Sequence, residues 1–272
     1  MELGIVTLPL LPMRSESSDR SEMITQLLFG EVCEIVETKE HWCLVRNHQD
    51  HYLGWVTSKM LTPLSAELND YLSRFPTRVC SEPMCVFRKL NDKKEKLFLP
   101  AGSRLFFTDA TFQTAFFPKN TQDGYDLFEI EPMNRNRITP QQIVETPASQ
   151  FIQIAKQFLN TPYLWGGKSV LGMDCSGLVQ LAASILQVAL PRDAKDQALC
   201  GKPILYSELL AGDLLFFCNN EGVVVHVGIV YAPSQVLHAS GSVHLDIFDE
   251  KGIRSNDEFE YSHFLHSIRR IF

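Results

Sequence analysis

Hydrophobic and polar positions divide the chain into three textures. From about residue 3 to 64, short apolar and β-branched runs cover 4–11, 22–29, 32–36, 42–45 and 52–56, and polar turns separate them. Closely spaced runs of this kind predict a small β-barrel. The polar stretch from Pro12 to Asp19 reads as a loop. A short helix is expected around 67–72, closed by Pro76. Strand texture then returns at 84–87, 96–99, 104–108, 114–117 and 126–130, with turns at Asn91-Asp92, Pro100-Ala101-Gly102 and Asp123-Gly124. Two consecutive segments of similar size and texture predict a diverged second copy of the barrel.

The period changes in the third segment. Phe151, Ile152, Ala155, Phe158 and Leu159 form a helical stripe, opened by Thr146-Pro147 and stopped by Asn160-Thr161-Pro162. Leu178, Leu181, Ala182, Ile185 and Leu186 form a second stripe. Strands are expected at 214–218, 223–231, 236–239 and 243–248, with a fifth at 267–271. Helices followed by an antiparallel sheet make this segment α+β. The expected order is a barrel over 1–64, a linker with a short helix over 65–76 and a second barrel over 77–134. A connector over 135–147 and an α+β domain over 148–272 complete it.

Composition adds exclusions. Of 272 residues, 45% are hydrophobic and 21% charged, the balance of an ordinary globular protein. The net charge of −7 argues against a nucleic-acid backbone or an anionic membrane surface as partner. No apolar run approaches the ~20 residues of a membrane helix. Met1-Glu2-Leu3-Gly4 lacks the basic and apolar regions of a signal peptide, so a cytoplasmic location is expected, or a periplasmic one if a signal has been removed. Seven scattered cysteines with no Cys-x-x-Cys pair suggest neither a disulfide framework nor a zinc site. No cofactor or metal is expected.

Candidate chemistry centres on Gly172-Met173-Asp174-Cys175-Ser176-Gly177, a polar turn that carries a cysteine into the second helical stripe. A helix N-terminus favours an anion, and a thiolate is one. The alternative is a small apolar residue packed under a helix. Cys200 and Cys218 are rival thiols, the first in a polar loop and the second closing an apolar strand. A thiol nucleophile needs a base and a group to orient that base. His226 begins an apolar strand, and His238 lies in the next. If the two strands pair around Tyr231-Ala232-Pro233-Ser234, the imidazoles share one sheet face. Cys175, His226 and His238 then repeat the logic of acyl transfer, against the alternative that both histidines are structural. Metal hydrolysis by His226, His238 and His244 is a weaker reading.

These residues resemble the NlpC-type cysteine peptidases of bacterial cell-wall metabolism. The likeness runs in order through 162–167, 172–179, Pro191-Arg192-Asp193-Ala194, 212–217, His226-Val227-Gly228-Ile229 and Leu237-His238-Ala239-Ser240. With two SH3-like barrels in front of a papain-like domain, the chain is similar to the subgroup that cleaves γ-D-glutamyl–L-diamino acid bonds in peptides with a free N-terminal L-alanine. The resemblance implies Cys175 as nucleophile, His226 as base and His238 as the third polar group. It also implies Asp174 at the substrate ammonium, Ser176 at the D-glutamate carboxylate and Tyr163 at the oxyanion site. Tyr52 and Glu22 of the first barrel match positions near that ammonium, against readings as a rim aromatic and a solvated charge. Trp165 reads as core, Gly166-Gly167 as a tight backbone passage, and Arg192 with Asp193 as a loop fastener or a surface ion pair. Peptidoglycan-derived peptides are the implied partners. A related amidase or acyltransferase, or a wall-binding protein without catalysis, are the alternatives.

Overall fold

The computed structural model describes residues 2–92, 94–118, 125–130, 146–254 and 260–272, and the chain forms two compact units, 1–142 and 143–272. The connector expected over 135–147 lies outside the described residues except for its last two positions, as does the turn at Asp123-Gly124.

The first unit contains two antiparallel sheets. One has seven strands in the order Met23–Leu28, Leu10–Arg14, Leu53–Thr57, Trp42–Asn47, Val32–Lys39, Glu2–Ile5 and Thr62–Leu64. Its inward alternation buries Leu11, Met13, Leu27, Cys33, Val45 and Val56. The loop expected from Pro12 is strand as far as Arg14, because Met13 faces this core. The other sheet has six strands, in the order Lys96–Pro100, Met84–Lys89, Tyr125–Ile130, Thr114–Pro118, Arg104–Phe107 and Thr77–Val79. Its core is rich in aromatic residues: Phe87, Phe107, Phe117 and Phe128 pack with Cys80 and Cys85. Phe29 from the first sheet's end joins that core, 4.8 Å edge-on from Phe117. The expected linker helix runs over Ala66–Ser73, and its N-cap Ser65 accepts from the Leu68 N–H. Leu72 of this helix packs with Ile5, Leu64, Phe106 and Phe116, so the segment is a packed element of the unit.

The second unit opens with α1 (Pro147–Lys156). Thr146 caps it by accepting from the Ser149 N–H, and proline stands in its first turn. The nucleophile candidate begins α2 (Cys175–Ile185), buried on all sides from Cys175 to Ala183. A sheet covers it, made of β1 (Lys202–Pro203), β2 (Leu214–Cys218), β3 (Val224–Ala232), β4 (Gln235–Ser240), β5 (Ser242–Asp249), β6 (Gly252–Arg254) and β7 (Tyr261–Arg270). The order is β1-β7-β2-β3-β4-β5-β6, every pair is antiparallel, and β6 also pairs with β7, which closes six strands into a barrel. The last strand starts earlier than expected, at Tyr261. It lies between β1 and β2, with β6 pairing onto it as well. The half-buried alternation of residues 261–267 hid it from a search for apolar runs.

Candidate active site

Cys175 holds the first position of α2, and Asp174 is the N-cap. The Asp174 carboxylate is fully engaged. Its Oδ1 accepts from the Gly177 N–H at 2.7 Å and the Ser176 hydroxyl at 3.4 Å; its Oδ2 accepts from the Gly166 N–H at 2.8 Å and Arg192 at 2.6 Å. Arg192 is 2% exposed and also donates to the Ser176 hydroxyl at 2.8 Å. Arg192 therefore makes a buried ion pair with Asp174 under the nucleophile helix. A substrate ammonium reaching Asp174 would share these oxygens with the donors already there. Gly167 has a steric reason: a Cβ there would lie 2.4 Å from the Gly172 carbonyl oxygen. Trp165 is 59% exposed, so the core position expected for it is corrected. It sits in the turn before Gly166-Gly167, which the carboxylate of Asp174 holds from inside, leaving the indole outside.

The backbone N–H groups of Val227, on β3, and of Ser176 face the Cys175 sulfur. These donors and Arg192 favour a thiolate, as the helix N-terminus suggested. Burial and the Asp174 charge outweigh them, and the thiol is pushed up to about 11. Tyr163 is half-buried nearby. Burial, then the cysteine's charge, push its phenol up to about 12, so it stands as a neutral hydroxyl donor.

The residue before Val227 is His226. β3 and β4 pair with Gly228 opposite His238, and His226 lies diagonal to His238 on the same face. Gly228 leaves the gap between them; a Cβ there would come within 2.4 Å of Val236 Cγ2 and 3.2 Å of His238 Cβ. Nε2 of His226 meets Nδ1 of His238 at 2.8 Å, and Nε2 of His238 meets Asp246 Oδ2 at 3.1 Å. Asp246 comes from β5, where His244 stands directly opposite His238. The His263 ring, from β7, lies 4.3 Å from that of His226.

The proton positions follow from this row. The hydrogen bond from His238 holds Asp246 below the usual carboxylate range, so it is an acceptor only. Burial, then the neighbouring imidazoles, push His226 well below the ordinary histidine value, and burial also lowers His238 despite Asp246. Both rings are neutral at pH 7. His238 donates from Nε2 to Asp246, His226 donates from Nε2 to His238, and Nδ1 of His226 keeps a free lone pair.

The structure thus gathers Cys175, Asp174, Ser176, Tyr163, His226 and His238 in one unit. Tyr52 and Glu22 belong to the other unit, Tyr52 half-buried against the first core and Glu22 exposed beside the strand Met23–Leu28. Cys200 has its sulfur on the Asp196 carbonyl, and Cys218 ends β2. Sequence reasoning missed Asp246 and His263. The i, i+2 spacing of His244 and Asp246 marks one face of a strand, and a hairpin drawn around Gly241 would have set that face against His238.

A papain-like arrangement of a cysteine at a helix start and histidines on an antiparallel barrel defines the class of this unit. Residues 160–263 match the NlpC/P60 family, and residues 13–61 match the bacterial dipeptidyl-peptidase Sh3 domain. The chain therefore carries an NlpC/P60 peptidase-family domain preceded by an SH3-like β-rich region. It is 28% identical to a γ-D-glutamyl-L-lysine dipeptidyl-peptidase of Bacillus subtilis over 79% of this chain and 71% of that one. With dipeptidyl-peptidase 6 of Lysinibacillus sphaericus it shares 26% identity over 91% and 92% of the two chains. The crystal structure of an NlpC/P60 family protein from Bacillus cereus superposes with a TM-score of 0.81 over 98% of this chain and 99% of that one. At 21% identity that likeness speaks for the fold.

Proposed function

We propose that this chain is a cysteine peptidase hydrolysing the γ-D-glutamyl–L-diamino acid bond of peptidoglycan peptides that carry a free N-terminal L-alanine. The observation that carries this reading is the row from Asp246 through His238 to His226, on the strand whose Val227 N–H faces the thiol.

Both partners rest neutral, so the reaction starts from thiol and imidazole. As the Cys175 sulfur attacks the γ-carbonyl, Nδ1 of His226 takes the thiol proton, and Asp246 supports the imidazolium through His238. The Cys175 backbone N–H, one of the unpaired donors of a helix start, and the Tyr163 hydroxyl stabilise the oxyanion. His226 returns the proton to the departing amine of the diamino acid, leaving a thioester. Water activated by the same nitrogen then cleaves it. The name of the Bacillus subtilis relative supports the choice of bond. Asp174 is the proposed contact of the L-alanine ammonium, and Ser176 with Arg192 behind it the proposed contacts of the D-glutamate carboxylate.

Digestion of L-Ala-γ-D-Glu-L-Lys, free and N-acetylated, tests this by mass spectrometry. The expected products are L-Ala-D-Glu and lysine from the free peptide alone, and none with Cys175→Ala. Equal cleavage of the acetylated peptide would remove the amine-recognition part; transfer to an added amine in place of hydrolysis would make the enzyme an acyltransferase.

A further inference from the structure

His244 has no use in the reaction proposed above, yet its position is tightly defined. Its Nδ1 lies 2.8 Å from the Ser242 carbonyl oxygen, which only accepts, so Nδ1 carries the proton. The neutral ring then presents a bare lone pair at Nε2, and that lone pair faces Asp246 Oδ2 at 3.1 Å. Two acceptors at this distance repel unless the ring takes a second proton or a cation bridges them. The same Oδ2 stands 3.1 Å from Nε2 of His238, and one ligand atom from each of the three residues lies within 4.8 Å of the others. Ligands held ~2.0–2.1 Å from a tetrahedral zinc ion stand about 3.3 Å apart, close to the two 3.1 Å separations that Asp246 Oδ2 makes. An imidazole whose other N–H is tied to a backbone carbonyl is how proteins hold a ligating histidine. The His244 and Asp246 side chains are 34% and 29% exposed, which leaves a route for an ion and room for water beside it.

We infer that His238, His244 and Asp246 form a site for a divalent transition-metal ion of the zinc class, and that filling it switches the base off. The switching half rests on the reading of Cys175 and His226 as the reacting pair. A metal ion needs the Nε2 lone pair of His238, so that ring's proton moves to Nδ1. Nδ1–H then donates to Nε2 of His226, which must present a lone pair, and the His226 proton moves in turn to its own Nδ1. No proton is gained or lost by the two rings. The nitrogen that takes the thiol proton is now capped, and the site is held in an inactive tautomer without moving a strand. The ion is an inhibitor here and takes no part in hydrolysis.

Cobalt(II), which shows a visible ligand-field band in a four-coordinate site, is the probe for the full chain stripped with a chelator. The band is expected in the wild type and in Cys175→Ala, with affinity at least about tenfold weaker in His244→Ala. Loss of the band in Cys175→Ala, or no change in His244→Ala, puts the ion elsewhere and overturns the site. The switch is read from the rate at which iodoacetamide alkylates Cys175, followed by peptide mass spectrometry. Buffered zinc is expected to slow it at least about tenfold in the wild type and to leave His244→Ala unchanged. An unslowed rate in the zinc-loaded wild type overturns the switch. Neither readout uses a peptide substrate, so failure of the substrate assignment and failure of the metal site are seen separately.

Discussion

Cys80 in the second sheet of the first unit and Cys175 at the start of α2 are both buried, and burial pushes both thiols up. What faces each sulfur is different. Cys80 looks onto Cys85 and an aromatic core, and both burial and Cys85 raise it. Cys175 looks onto two backbone N–H groups and the Arg192 charge, with the imidazole row one residue further along β3. Burial alone makes a thiol inert; donors aimed at the sulfur and a neutral base beside it make a buried thiol usable. In the proposed reaction Cys175 does not begin as a thiolate. It begins as a thiol whose proton has somewhere to go.

The sharpest way to break this comparison is to remove each sulfur. Cys175→Ala is expected to abolish hydrolysis, whereas Cys80→Ala keeps kcat/KM and lowers stability by about 1 kcal/mol. Equal loss of activity in both variants, measured on the same peptide, would leave the contrast without content. Arg192→Ala comes next. It strands the Asp174 carboxylate without its buried counter-charge, an expected loss of roughly 3–5 kcal/mol in chemical denaturation. An unchanged midpoint would show that the ion pair does not hold the helix start.

Asp246→Asn removes the group that fixes both imidazole tautomers, and kcat/KM is expected to fall by about 10²-fold with the fold intact by circular dichroism. The smallest effect is one of pH. Burial and neighbouring imidazoles hold His226 below its ordinary 6.5, so the base stays neutral as pH falls through that value. The acid limb of kcat/KM should therefore lie well below 6.5, and a limb centred on 6.5 would contradict a buried base. The linked sign for folding is the same. The unfolded chain takes up this proton near 6.5 and the folded chain does not, so stability falls as pH drops below 6.5.

Legibility in the sequence followed burial. Long apolar runs such as Leu214–Cys218 and Val224–Ala232 were readable, as was α2 with its Gly-flanked cysteine. Lys202–Pro203 and Gly252–Arg254 were not, because strands of two or three residues have no period of their own. His226 and His238 stood out as polar residues in apolar runs. Asp246 did not: a carboxylate between Leu245 and Ile247 on an alternating strand reads as a solvent-facing charge, and only the register across β4 and β5 turns it toward His238. Arg192 lies within Pro191-Arg192-Asp193-Ala194, but its partner stands eighteen residues back in the chain, and no local spacing reports that pairing.

The closure of the barrel by β6 and β7 sets an order of events during synthesis. β7 is made after the other six strands of this sheet, yet it pairs with β2 across some fifty residues of chain and also pairs with β1. Pairings of such separation form late, because the intervening chain must be closed into a loop first. A nascent chain halted before residue 261 has the cysteine, both histidines of the row and the carboxylate already translated, but no closed wall to hold them. The site is therefore expected to assemble only once β7 has cleared the ribosome, and proteolytic clipping of that strand would open its wall without touching a reacting atom.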